Sequence, residues 1–141
     1  MRFTFILFAT FILFVSCSKE KYLDKKMDGN WTVNLIRIVD GEGFMYFDSL
    51  PNGSFTFNSD LKTISANVSY RYINLNGFTI KDTFKLDQEK YIFNSKLDRI
   101  FFRQNLDSID ARVILITKES MELEYYDLSK YKLVRFILSK D

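Results

Sequence analysis

In Ile64-Ser65-Ala66-Asn67-Val68-Ser69-Tyr70-Arg71-Tyr72, apolar and polar side chains alternate without a break. A helix would scatter these nine residues around its circumference. An extended chain sorts them instead, with Ile64, Ala66, Val68, Tyr70 and Tyr72 on one face and Ser65, Asn67, Ser69 and Arg71 on the other. That is a strand with one buried and one wet face. Downstream, Phe78, Ile80, Phe84 and Leu86 keep the same period, broken by Asp82. Further on, Met121, Leu123 and Tyr125 alternate with Glu122 and Glu124.

Turn-forming clusters punctuate these runs: Asp40-Gly41-Glu42-Gly43, Pro51-Asn52-Gly53, Asn58-Ser59-Asp60, Asn74-Leu75-Asn76-Gly77, Lys118-Glu119-Ser120 and Asp127-Leu128-Ser129-Lys130. Between them lie strand segments at 31–39, 43–48, 54–58, 61–73, 78–87, 90–95, 99–103, 111–117, 121–127 and 131–139. No segment carries a sustained helical period; 103–110 (RQNLDSID) is the one place left for a helical turn. The spacing is that of an all-β sandwich or barrel. Short connections make sequence neighbours pair as successive antiparallel hairpins. Such an up-and-down meander has two exposed edges unless it closes, so a small closed barrel of about eight to ten strands is expected. Closure requires the 131–139 strand to pair with 31–39.

Composition narrows the chemistry. The chain has 141 residues, 20 Lys+Arg against 18 Asp+Glu, one Cys and no His. One domain accounts for that length. Without His there is no Ser-His-Asp or Cys-His catalysis and no imidazole shuttle, and the usual zinc sites are excluded. A net charge of +2 gives no electrostatic drive toward nucleic acid. The basic residues Lys81, Lys85, Lys90, Lys96, Arg99 and Arg103 are interleaved with Asp82, Asp87, Glu89 and Asp98, as on solvated strand faces. Paired carboxylates are the remaining catalytic option. Glu122 and Glu124 share a strand face opposite the apolar one, which makes it an outer face. Asp107 and Asp110 flank a loop, where carboxylates form turns. Neither pair is expected to be catalytic. No enzyme activity, metal or cofactor is expected.

The N-terminus has a different character. Met1–Ser18 reads MRFTFILFATFILFVSCS, with Arg2 its only charge. The uncharged run from Phe3 is shorter than the roughly 20 residues a membrane-spanning helix needs, and it has the layout of a secretory signal peptide. Phe14-Val15-Ser16-Cys17 resembles a bacterial lipobox, departing from it at Phe14, where Leu is usual. Cys17 is the only cysteine in the chain. We therefore expect cleavage after residue 16 and lipid attachment at Cys17, because two or three acyl chains give stable anchoring. No disulfide is then available to the mature domain. Residues 17–28 are expected to form the lipidated Cys and a charged tether, and 29–141 the barrel domain.

Gly29-Asn30-Trp31-Thr32-Val33, Gly53-Ser54-Phe55-Thr56-Phe57-Asn58-Ser59-Asp60 and the hairpin Val113–Leu123 (VILITKESMEL) carry a family resemblance. With the lipobox and tether, they resemble the lipocalin-like lipoproteins of Bacteroidetes-type bacteria. The chain departs from them in lacking a second Trp in mid-chain. The resemblance implies a calycin-type barrel and no known chemistry, with Trp31 plugging the closed end. It also implies a lipid anchor in the outer membrane. Ser18-Lys19-Glu20-Lys21 lacks the acidic run associated with surface export, so the domain is expected to face the periplasm. Two functions are open. One is an accessory module that binds another envelope protein. The other is a carrier holding a small apolar or amphipathic ligand against inward-reading Phe57, Val68, Tyr70, Tyr72, Phe84 and Phe93.

Overall fold

The computed structural model describes residues 19–74, 76–104 and 107–141, and of residues 104 and 107 the backbone alone. The leader 1–16 and Cys17 lie outside the described residues. A helix, α1 (19–27), precedes nine strands. These are β1 (Gly29–Asp40), β2 (Met45–Asp48), β3 (Asn52–Asn58), β4 (Thr63–Ile73), β5 (Thr79–Phe93), β6 (Arg99–Gln104), β7 (Asp107–Ile116), β8 (Ser120–Asp127) and β9 (Lys132–Lys140). All pairings are antiparallel, and the ladder β1-β3-β4-β5-β6-β7-β8-β9 returns to β1. Closure runs from Trp31↔Lys140 to Asp40↔Lys132, so the last strand seals the barrel against the first, as expected. Among the described residues no helix is long and apolar enough to cross a membrane.

β2 and β3 lie in line along one side of β1: Gly29–Thr32 pair with β3, and Ile36–Val39 with β2. The wall breaks between them at 49–51, around Pro51, the only proline, which has no N–H for a ladder. Asp48, buried, ties the break. Its carboxylate accepts the Leu50 N–H (3.0 Å) and the Arg71 N–H of β4 (2.6 Å). Pro51-Asn52-Gly53 reads as a turn, yet Asn52 and Gly53 already belong to β3. Gly53 is required there for close approach: its φ is +146°, and a Cβ would lie 2.1 Å from the Asn67 carbonyl oxygen.

Two other expectations are corrected. The segments 78–87 and 90–95 are one strand, β5. Gln88 takes a φ of 51° and the ladder slips between Ile64 and Ala66, so the polar Asp87-Gln88-Glu89 is a bulge within the strand. The 103–110 segment holds no helical turn in its described part; it forms the facing ends of β6 and β7, paired from Arg99↔Arg112 to Gln104↔Asp107.

Below the mouth, the barrel interior is apolar and filled. Phe55 meets Phe136 edge-on at 5.1 Å and stacks near Phe57, which meets Tyr91 at 6.0 Å. Toward the other end, Phe84 lies 5.2 Å from Phe136 and 5.1 Å from Tyr125. Trp31, with no exposed surface, closes the bottom, its indole N–H donating to the Met27 carbonyl at 2.6 Å. Helix α1 seats beneath it. The face it turns inward is Glu20, Leu23, Asp24 and Met27, spaced i, i+3, i+4, i+7 but half carboxylate. Asp24 accepts the Tyr91 hydroxyl (2.9 Å) and the Lys62 ammonium, which also pairs with Glu20 (2.9 Å). The charged stretch after Ser18 is therefore folded onto the barrel from residue 19.

Candidate functional site at the open end

Opposite Trp31, the barrel ends in the turns 41–44, 74–78 and 128–131. Here the wall is incomplete. The β5–β6 ladder covers only Tyr91↔Phe102 to Phe93↔Ile100. Among the described residues, β5 from Thr79 to Lys90 has a ladder partner on its β4 side alone. No ladder joins β2 to the upper part of β4. Among the described residues the upper β4–β5 hairpin thus has no strand pairing on either flank. An open cleft of ≈ 1120 Å³ borders this seam, lined from the barrel interior by Tyr70, Phe84, Ile109 and Tyr125, from the outer strand faces by Thr83, Asp110, Arg112 and Glu124, and at the mouth by Lys130.

A charged cluster spans the mouth beside this cleft. Lys132, at the start of β9, has a side chain only 2% exposed. Its ammonium donates to Asp82 of β5 (2.5 Å) and to the Tyr70 hydroxyl of β4 (3.0 Å), and lies 5.1 and 4.9 Å from the Tyr70 and Tyr72 rings. Lys130 donates to both Asp82 oxygens, at 2.6 and 2.8 Å. Asp82 further accepts the Tyr70 hydroxyl (3.1 Å) and the Thr83 N–H (2.8 Å). Burial alone would raise the Asp82 carboxyl, but the two lysines outweigh it and hold it at about 2. Burial pushes the Lys132 ammonium down, opposed by Asp82, and drives the Tyr70 and Tyr125 phenols far up, so both stay protonated. At neutral pH the site presents ammonium and hydroxyl donors above an aromatic floor.

The residues predicted to face a cavity are not gathered in one place. Tyr70 and Phe84 line the cleft, with Tyr72 beside Tyr70 at 6.5 Å. Tyr72 also packs on Tyr46 (5.9 Å). Phe57 is buried in the closed half against Tyr91, and Phe93 leans on Tyr91 from the same end at 5.7 Å. Lys132, Asp82, Lys130 and Tyr125 were not foreseen as site residues. Parity held the signal: Asp82 breaks the Ile80/Phe84/Leu86 row, and Lys132 continues the inward row of Val134, Phe136 and Leu138. Glu122 and Glu124 sit on the outer face, paired with Arg135 at 3.4 and 2.6 Å. Asp110 pairs with Arg99 at 2.8 Å, and the side chain of Asp107 lies outside the described residues.

No family model matches the chain, and no curated protein matches it. Several solved structures are similar to it, two bovine proteins among them. One, a deswapped triple mutant of bovine odorant-binding protein, is 9% identical over 82% of this chain and 74% of its own, with a TM-score of 0.43. The other, the bovine lipocalin allergen Bos d 2, is 11% identical over 84% of this chain and 75% of its own, with a TM-score of 0.41. By its own ladder, the domain is an eight-stranded lipocalin-like barrel, with β2 and β3 sharing one place in the wall.

Proposed function

We propose that this protein is a non-catalytic binding protein of the bacterial cell envelope, held to a membrane by lipid on Cys17, whose open cleft takes a small amphipathic molecule. The observation that carries this reading is the cleft itself. Its volume is large enough for a small molecule, and it sets Tyr70, Phe84 and Tyr125 beside a few polar groups. Its groups offer binding chemistry: the carboxylates on its walls are each engaged by an internal donor, and the phenols stay protonated. Titration with the neutral, environment-sensitive dye N-phenyl-1-naphthylamine should give saturable one-to-one binding. Ile109→Trp, which fills the floor, should abolish it. An absence of saturable binding to the parent protein overturns the reading.

The anchor fits the geometry. Cys17 stands two residues before α1, which seats at the closed end, so a tethered barrel would turn its closed end toward the lipid surface and its mouth away from it. We place the domain on the periplasmic side of the outer membrane, among the lipocalin-like lipoproteins it resembles. Cys17→Ala should abolish acyl labelling, and protease treatment of intact cells should leave the domain whole. A second reading, an accessory module docking another envelope protein, draws on the exposed Phe44, Ile73, Phe78, Leu128 and Tyr131 around the mouth.

A further inference from the structure

We propose that the outer face of the wall β2-β1-β9-β8 is a docking surface for a second copy of this chain, joining two barrels in a weak two-fold dimer. The inference stands apart from the cleft. It comes from a difference between two outer walls of the same barrel.

On β3, β4 and β5 the outward side chains are polar row by row. Thr56 stands opposite Ser65, Ser54 opposite Asn67, Asn67 opposite Lys85, and Ser69 opposite Thr83. That is the outer face of a solvated antiparallel wall. The wall β2-β1-β9-β8 is built differently. Met45 stands opposite Val39, Val39 opposite Leu133, and Leu133 opposite Tyr126, so the outward row nearest the mouth is apolar across four strands. Nearer the closed end Leu35 stands opposite Ile137, and Phe47 joins from β2, opposite Arg37. None of these side chains is buried; Met45, Phe47 and Tyr126 are 51%, 57% and 48% exposed. The core lies on the other side of the wall, where Ile38, Val134 and Leu138 point, so internal packing does not account for the outer row.

Charge on this face says what can cover it. Arg135 pairs with Glu124 (2.6 Å) and Glu122 (3.4 Å), and Arg37 reaches Glu124 at 3.7 Å. Two cations and two anions thus balance within the face. A face of one sign would repel its own copy, whereas a neutral face with its charges already paired can meet itself, as an isologous interface requires. A bilayer fits less well, because Glu122 and Glu124 would have to leave water for lipid. A two-fold axis along the barrel axis sets the β2 end of the apolar row against the β8 end of the same row in the other copy. It also keeps both closed ends on one side, as two copies anchored to one membrane require. Four strands and three outward rows span about 20 Å each way, a footprint of roughly 400 Å² per copy. That is the size of a weak, transient association, and confinement of both copies to one membrane raises their effective concentration.

Residues 19–141 close their own barrel, so sedimentation velocity of that domain without its lipid reads the association directly. Between about 5 μM and about 1 mM it should pass from monomer to dimer, with a Kd of about 100 μM. Met45→Lys and Tyr126→Lys, at the two ends of the apolar row, should each weaken the dimer at least about tenfold. Ser54→Lys, which adds the same charge to the polar wall, should leave it unchanged. Both replaced apolar side chains are half exposed, so thermal melts of these variants should match the parent's. Independently of any variant, dilution should shift the backbone amide resonances of β1, β2, β8 and β9 and leave those of β3–β5 in place. A protein still monomeric at about 1 mM overturns the inference. So does a dimer that Ser54→Lys weakens equally, or one whose shifts fall on other strands. If the protein stays monomeric but sediments with phosphatidylcholine vesicles, and Met45→Lys abolishes this, the face belongs to lipid and the dimer is rejected.

Discussion

The two ends of this barrel are built from the same strands but held by different means. At the closed end every wall strand is paired with its neighbours, rings fill the axis from Phe55 to Tyr91, and α1 covers Trp31. At the open end, among the described residues, the backbone ladder is missing on both flanks of the β4–β5 hairpin. What joins the hairpin to the rest is side-chain chemistry: Asp48 on the Arg71 N–H, and Asp82 with Lys130 and Lys132 across the mouth. Ladders and apolar packing depend little on pH, and at the closed end the ion pairs of Lys62 with Glu20 and Asp24 serve only to seat α1. An ion-pair latch holds only while its groups stay charged and unscreened, and a competing ion can enter it. The difference assigns ladder-held packing to one end and a side-chain latch to the other.

The harshest way to break the comparison is to remove what both ends share. A chain ending at Asp127 loses β9, hence Val134, Phe136 and Leu138 and the ladders to β1 and β8. With total stability of about 5–15 kcal/mol, it should show no cooperative melt by far-UV circular dichroism. An unshifted melt would mean that closure is dispensable. Next, Trp31→Ala should cost about 3–5 kcal/mol in denaturant unfolding, the usual toll of emptying a large buried site. It should leave dye binding at the open end unchanged in the folded protein.

At the other end, Asp82→Asn leaves the Lys132 ammonium buried without its carboxylate, and should cost about 3 kcal/mol. The apolar replacement Asp82→Leu with Lys132→Met should return to within about 1 kcal/mol of the parent, since the pair as a whole is a weak stabiliser. A double variant as poor as the single one would mean that the latch is itself a main source of stability. The smallest effect is the acid one. The folded Asp82 carboxyl sits at about 2, below the 3.8 of the free group, so its contribution is complete above roughly pH 4 and is lost as pH falls from 4 to 2. The stability gap between parent and Asp82→Asn should narrow across that window, measured by melts from pH 5 to 2.

How much of this was legible in the sequence follows from the same contrast. Period-two runs such as Ile64–Tyr72 mark strands directly, because one apolar face is what closes a barrel, and closure of the last strand on the first followed from avoiding open edges. Helix α1 was hidden because two of the four positions it buries are Glu20 and Asp24, held by Lys62 and Tyr91, whose positions are known only once the chain is folded. Gln88 shows a related limit: a polar triplet reads as a turn, and only the register across β4 reveals a bulge. Of the candidate ligand residues, Tyr70, Tyr72 and Phe84 lie at the mouth, while Phe57 and Phe93 belong to the closed half, since inward parity does not tell depth along the axis. The charged cluster escaped because Asp82 and Lys132 are 50 residues apart and meet only across the mouth.

The account turns on the open half of β5 being joined on its second flank by side chains rather than by a backbone ladder, and amide hydrogen exchange read residue by residue along that one strand tests this most directly. Protection should be high at Tyr91–Phe93, where β6 pairs, and at Trp31 and Val33 in the closed end. Over Thr79–Leu86 the alternate amides that face β4 should stay protected, while those that face the open flank should drop by at least about a hundredfold. Equal protection along the whole of β5 would contradict the account, because the mouth would then be as firmly built as the base.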